Sequence, residues 1–228
     1  MGTTLTSAFK LIFSGSDMLT EIVLTTLKMA FSSSLLALLL GVPIGLLIAI
    51  SNFKGKDAVV MLLRTFMGFP PVVAGIVIYV LFSGTGPFGK LGLIYSVELM
   101  IIAQVVLITP IVAGMTESSA SAICQRFLDT AKGLKLGYGK VLALTVIECR
   151  YQLIAVYLFA FARAMSEVGA VQIVGGNILH KTRVMTTTIA LNYNTGEFSY
   201  AVALGVVLML IVVAVNLIAS LLQKGTNK

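Results

Sequence analysis

Charge is scarce in this chain. Of its 228 residues, 11% are Asp, Glu, Lys or Arg, less than half of the quarter or so that an average soluble domain carries. A soluble globule is excluded, because too few groups are left to keep its outside wet. The 58% hydrophobic composition and mean hydropathy of +1.02 identify the solvent as lipid. Acidic residues are scarcer still, 9 against 16 basic, for a net charge of +7. In a membrane protein an excess of Lys and Arg reports orientation across the bilayer, so nucleic acid is not an expected partner. Cysteine is limited to Cys124 and Cys149, with no CxxC and no neighbouring His, which excludes a disulfide framework and a metal site and leaves two small buried fillers. The single histidine, His180, has no Cys, Ser or carboxylate at ligand or triad spacing. No catalytic set is present, and the chain does not read as an enzyme. The opening Met-Gly-Thr-Thr-Leu-Thr fits a myristoylation pattern only by chance, and Lys10 with the polar Ser14 to Asp17 stretch makes no secretory signal.

What the sequence does have is long apolar runs. A spanning helix needs about 20 apolar residues, and five runs approach that length. They are Met29 to Ile50, begun earlier if Asp17 is a helix cap; Thr65 to Phe82; Leu99 to Met115; Leu153 to Val174; and Ser199 to Leu222. With the N-terminus outside, ten basic residues (Lys54, Lys56, Arg64, Arg126, Lys132, Lys135, Lys140, Arg150, Lys224 and Lys228) fall inside, against six elsewhere. The spacing therefore predicts an all-α integral membrane protein of about five spans, N-terminus out and C-terminus cytoplasmic. No repeat and no Pro, Gly or Ser-rich linker divides it, so residues 1–228 form one membrane domain.

The loop Gly84 to Lys90 satisfies both GxGxxG and GxxxxGK, yet Leu91 stands where a phosphate loop needs Ser or Thr, and no buried strand precedes it. It reads as a tight exterior turn. In the second run, Pro70 and Pro71 after Gly68 remove backbone hydrogen bonds. Broken backbone at membrane depth is tolerated only against protein or water, which makes Gly68, Pro70 and Pro71 candidates for an interior path, with Thr109 and Pro110 of the third run; a kink that merely shapes packing is the alternative. Gly41 and Gly45 match a small-xxx-small pattern for close helix approach. Arg163 and Glu167, four apart in the fourth run, share a helix face and can pair. An intramembrane charge is a functional-site hypothesis by default, and the pair reads as a gate element or a structural ion pair. Segment 116–151 is basic, helix-compatible from Ser118 to Ala131, then punctuated by Gly133, Gly137 and Gly139. It suits either a partner protein or anionic lipid headgroups.

Met67 to Val73 (MGFPPVV), Gly86-Pro87-Phe88-Gly89 and above all Phe161 to Asn177 (FARAMSEVGAVQIVGGN), continuing through His180 to Thr187 and Ile189 to Leu191, resemble the permease subunits of ATP-binding-cassette importers for molybdate, tungstate and sulfate. The tungstate type is the most similar, and the likeness covers about Thr20 to Leu222. It implies a type I importer transmembrane domain that translocates tungstate by alternating access, with molybdate or sulfate as alternatives. It also implies a second copy of this chain, two cytoplasmic ATPases that use ATP and Mg, an extracytoplasmic oxyanion-binding protein, and no cofactor held by this chain. A self-contained channel or secondary transporter would instead predict several acids within the spans and an inverted repeat; only Glu167 fits and no repeat is seen.

In such permeases an EAA-xxx-G motif couples to the ATPase. Asp129-Thr130-Ala131 stands for EAA with Lys135 in the glycine position, or Leu136-Gly137 matches the Leu-Gly without the acidic residue. The implied contact therefore takes in Arg126, Asp129, Thr130, Ala131, Lys132, Gly133, Leu134, Lys135, Leu136, Gly137 and Lys140. The path or gate candidates are Gly68, Pro70, Pro71, Thr109, Arg163, Ser166 and Glu167. The basic exterior loop with Asn177, His180, Lys181 and Arg183 is the candidate dock for the capture protein.

Overall fold

The computed structural model describes residues 17–134 and 136–225, with backbone alone for 124–132, 138 and 218–225; Lys10, Lys135 and Lys228 lie outside the described residues. Every regular element described is helical. In order they are α1 Asp17–Ile50, α2 Lys56–Met67, α3 Pro71–Phe82, a single 3-10 turn Gly89–Leu91, α4 Val97–Gly133, α5 Tyr138–Glu148, α6 Arg150–Met165, α7 Gly169–Gly175, α8 Met185–Thr195 and α9 Phe198–Gly225. Among the described residues three helices are long and apolar enough to cross a membrane: α1, α4 over Val97–Ile123, and α9 over Phe198–Leu217. The bent pairs α2–α3, at 92°, and α5–α6, at 70°, raise the number to five if each pair makes one span.

α1 is described from Asp17, ahead of the apolar run at Met29, and the Asp17 carboxylate in its first turn complements the helix dipole. The middle of its buried stripe is made of small or polar residues, Thr26, Ala30, Ser33, Ala37, Gly41 and Gly45, with Leu19, Ile22, Met29, Leu46 and Ile50 buried along it as well. Its large apolar residues, Leu24, Phe31, Leu35, Leu39 and Leu47, point outward. Small residues at the mid-helix contact and several leucines facing out is the arrangement expected where lipid is as apolar as any core and helices associate through close packing. Gly41 and Gly45 set that approach against α4. A Cβ on Gly41 would stand 2.8 Å from Val112 Cβ, and one on Gly45 would collide with the Ala113 carbonyl. The core then fills with Met29, Met100, Ala103, Val112, Val156, Ala160 and Val171 from α1, α4, α6 and α7.

Three expectations are corrected. The second run is no single kinked helix from Thr65. Its first arm starts at Lys56, ends at Met67 and turns 92° before α3, because the two prolines deny the elbow its helical donors. The fourth run is not continuous, since α6 stops at Met165 and α7 restarts at Gly169. The helix Ser118 to Ala131 is no separate loop element; it is the far end of α4, which runs unbroken to Gly133. The Gly84 to Lys90 segment forms a tight turn in which a side chain on Gly86 or Gly89 would meet backbone carbonyls, and Cys149 is buried as a filler.

Gly45→Leu is expected to force α1 from α4 and lower stability by about 1–3 kcal/mol, the usual cost of overpacking. Gly205→Ala, inside α9 where an added Cβ meets open space, should melt no lower than the wild type in detergent, and up to about 1 kcal/mol more stably. Equal melting of both variants would refute the close-approach reading.

Candidate functional site

Two interruptions of helix meet at the side of the bundle, where Gly68, Pro70 and Ser166 are exposed and Glu167 is buried. The first is the elbow Gly68-Phe69-Pro70. The Gly68 N–H donates to the Thr65 carbonyl and closes α2. Pro70, extended at φ −63° and ψ 121°, precedes Pro71 at the first position of α3, where a proline gives up only a donor that has no helical partner. Its carbonyl accepts the Ala74 N–H at 3.1 Å.

The second interruption is Ser166-Glu167-Val168, and here side chains replace the helical ladder. Glu167, 4% exposed, divides its carboxylate. Oε2 lies 2.7 Å from Arg163 Nη1, while Oε1 accepts the Ala170 N–H in the first turn of α7 at 3.1 Å. Its carbonyl accepts the Thr186 hydroxyl of α8 at 2.8 Å. Ser166 spends its N–H on the Ala162 carbonyl and its hydroxyl on the Arg163 carbonyl. The Ala164 carbonyl accepts Gln104 Nε2 of α4 at 2.9 Å, and Gln104 Oε1 accepts the Ser33 hydroxyl of α1. The expected Arg163–Glu167 pair thus exists, though not on one helix face: Glu167 lies beyond the end of α6, and its geometry depends on the break.

The two interruptions abut. A Cβ on Gly75 would stand 2.8 Å from Ala170 Cα, and one on Gly169 would stand 2.9 Å from Val72 Cγ2, so α3 and α7 touch along their first turns. Gly114 of α4 lies against Met67 at the elbow. Phe66, Phe69 and Pro110 border an apolar recess of about 210 Å³ beside it. Of the polar atoms expected to line a path, the Gly68 N–H and Ser166 hydroxyl are already engaged, whereas Thr109 Oγ1 is buried without a partner among the described residues.

At the end of the bundle where α4 begins, residues 176–184 form a tied loop. Gly176, Asn177 and His180 all adopt positive φ, at 69°, 50° and 59°. The Thr182 hydroxyl donates to the Gly175 carbonyl and accepts the Ile178 N–H. Thr187 donates to Asn177 Oδ1 at 2.9 Å, and Arg183 Nη2 reaches the Asn177 carbonyl at 3.4 Å. Lys181 is exposed. His180 Nδ1 stands 2.7 Å from Glu21 Oε2 of α1. The expectation that His180 has no carboxylate near it is corrected, because the partner is 159 residues away in sequence, beyond the reach of any spacing argument. Nearby, the Tyr95 phenol is held above its ordinary pKa by its hydrogen bond with Tyr79, whose oxygen is 3.3 Å away.

Residues 41–228 match the family described as the binding-protein-dependent transport system inner membrane component. The chain belongs to that family. It is accordingly a non-catalytic permease of the inner membrane. Among its relatives, the tungstate uptake system permease protein of Peptoclostridium acidaminophilum is 34% identical over 96% of both chains. Its counterpart in Campylobacter jejuni is 34% identical over 95% of this chain and 91% of that one. The molybdenum transport system permease protein of Azotobacter vinelandii is 28% identical over 77% and 81%.

In the permease the coupling candidates gather at the far end of α4. Arg126 to Gly133 continue that helix, Leu134 is 67% exposed at its tip, Gly137 precedes α5 in extended conformation, and Lys140 is exposed in the first turn of α5. Sequence reasoning missed Ser33, Gln104, Thr182 and Thr186. The signal available was their polarity: a glutamine in the middle of an apolar run and threonines clustered after a break are costly in lipid unless they are engaged.

Glu167→Ala is expected to leave Arg163 without its partner and the first turn of α7 uncapped, at a cost near 3 kcal/mol, the lower end for breaking a buried pair. Arg163→Met combined with Glu167→Gln keeps an acceptor for Ala170 and removes both charges, so it should recover most of that loss in thermal unfolding. A double variant no more stable than Glu167→Ala would refute the pairing account.

Proposed function

We propose that the permease carries tungstate inward as a homodimer, driven by two cytoplasmic ATPases that use ATP and Mg and fed by an extracytoplasmic capture protein. The observation that carries the tungstate reading is the 34% identity sustained over 96% of both chains with a tungstate permease, against 28% over a shorter stretch with a molybdenum one. Molybdate is therefore the second reading. The count of basic residues supports the N-terminus outside, which places the α4–α5 turn in the cytoplasm and residues 176–184 outside.

The mechanism follows from the continuity of α4. Its 37 residues span about 55 Å at 1.5 Å per residue, from the exposed Leu134 tip to the end that contacts the 176–184 loop. Gly114 against the elbow and Gln104 against the second break lie on the same rod. ATP binding closes the ATPase pair and draws the segments Arg126 to Lys140 of the two copies together. Each α4 then moves as a lever against both breaks, and the path opens outward to receive the anion; hydrolysis restores the first packing. This is a population shift between two packings. Asn177, His180, Lys181 and Arg183 present donors and positive charge to the capture protein. Gly68, Pro70, Pro71, Thr109 and Ser166 lie beside the route, and Arg163 with Glu167 holds it shut. Weak contacts suit a carrier, since a site that held a dianion tightly would not release it.

The test is ATP turnover by the complete complex in vesicles. Tungstate-loaded capture protein should raise it more than the molybdate-loaded form, and replacing Arg126 to Lys140 by a Gly-Ser stretch should abolish the stimulation and release the ATPase during purification. Accumulation of tungstate by the purified permease alone would overturn the assignment.

A further inference from the structure

The break at Ser166-Glu167-Val168, with Ser166 exposed and Glu167 buried, has no glycine or proline among its three residues. The Val168 N–H is the donor that a continuing helix would deliver to the Ala164 carbonyl, four residues earlier. In the permease that carbonyl accepts Gln104 Nε2, at 2.9 Å. Gln104 is 0% exposed and has one workable orientation. Ala164 offers only an acceptor, so the amide NH₂ must face it, and Oε1 is then left to accept the Ser33 hydroxyl. Ser33 also reaches its own Ala30 carbonyl at 3.2 Å, so the hydroxyl is held on α1 and fixes the amide from the other side.

From this geometry we infer that Gln104 is the positioning residue that stabilises the α6–α7 break: by satisfying the Ala164 carbonyl that the break leaves without its helical donor, it removes the cost of interrupting α6 before Glu167, and so helps set where the Arg163–Glu167 pair stands. The pair itself does not distinguish a continuous helix from a broken one, since residues four apart meet on either. The side chain that distinguishes them comes from α4. The same helix that carries the coupling segment thus holds the hinge open by one hydrogen bond, with Ser33 on α1 as its counterpart. The placement of the break stands independently of the transport reading; only its effect on uptake rests on that reading.

The test compares Gln104→Leu, which keeps bulk and loses the donor, Gln104→Asn, which keeps the donor and loses reach, and Ser33→Ala, which only frees the amide. Spin labels at Phe159 and Ile178, both exposed and on either side of the break, report its shape by pulsed electron resonance on the intact complex. The distance distribution should shift in Gln104→Leu and Gln104→Asn, and broaden between the wild-type and shifted positions in Ser33→Ala. In the unlabelled variants, whose 176–184 loop is untouched, uptake should fall about tenfold in kcat, the scale set by one orphaned carbonyl, with KM for loaded capture protein unchanged. Should Gln104→Leu fail to assemble, Ser33→Ala still decides the matter. Unchanged distances in every variant that assembles would overturn the assignment. A shifted distance with normal tungstate uptake would leave the break assigned to Gln104 and count against the role of the break in transport.

Discussion

A backbone that breaks inside a membrane must find its hydrogen bonds in protein, because lipid supplies none. Most of the permease's architecture is a consequence of that rule. At the Pro70 elbow the debt is kept small, since proline has no donor to orphan. At the second break it is met by side chains from α4, α8 and the break itself: Gln104 on the Ala164 carbonyl, Thr186 on the Glu167 carbonyl, and Glu167 on the Ala170 N–H. These groups meet the hydrogen-bonding needs of the interruption between α6 and α7, and they tie it to the helices that supply them.

Much of this was legible in the residues. Run length located the spans, because the bilayer imposes a length on any helix that crosses it. Pro70-Pro71 announced the elbow by covalent chemistry, and Gly41 and Gly45 announced the α1–α4 contact by their lack of side chains. Less visible was whatever depends on partners distant in the chain. Within FARAMSEVGAV only Glu167 and Gly169 bear on the break, and its other determinants sit 60 residues before Ala164 and 19 residues after Glu167. The 92° turn at the elbow was also hidden: proline chemistry says that a helix stops, and the direction of the next one is decided by packing against α4 and α7.

The distribution of charge follows the same logic. Arg163 and Glu167 are placed where two helix ends leave dipoles to be matched, so the carboxylate serves an N–H as well as a guanidinium. The exposed His180–Glu21 contact answers to a different rule. In water it contributes little energy, and its value lies in joining the first turn of α1 to a loop formed much later in the sequence.

That separation bears on how the protein is made. Thr26 accepts the Met185 N–H and His180 meets Glu21, each across 159 residues. At about 5–20 residues per second of synthesis, α1 resides in the bilayer for roughly ten to thirty seconds before either partner leaves the ribosome. During that wait the Thr26 hydroxyl is not idle, because it donates to the Ile22 carbonyl of its own helix at 2.7 Å. The newborn helix is therefore self-sufficient in lipid and still keeps a lone pair ready for the chain's last third.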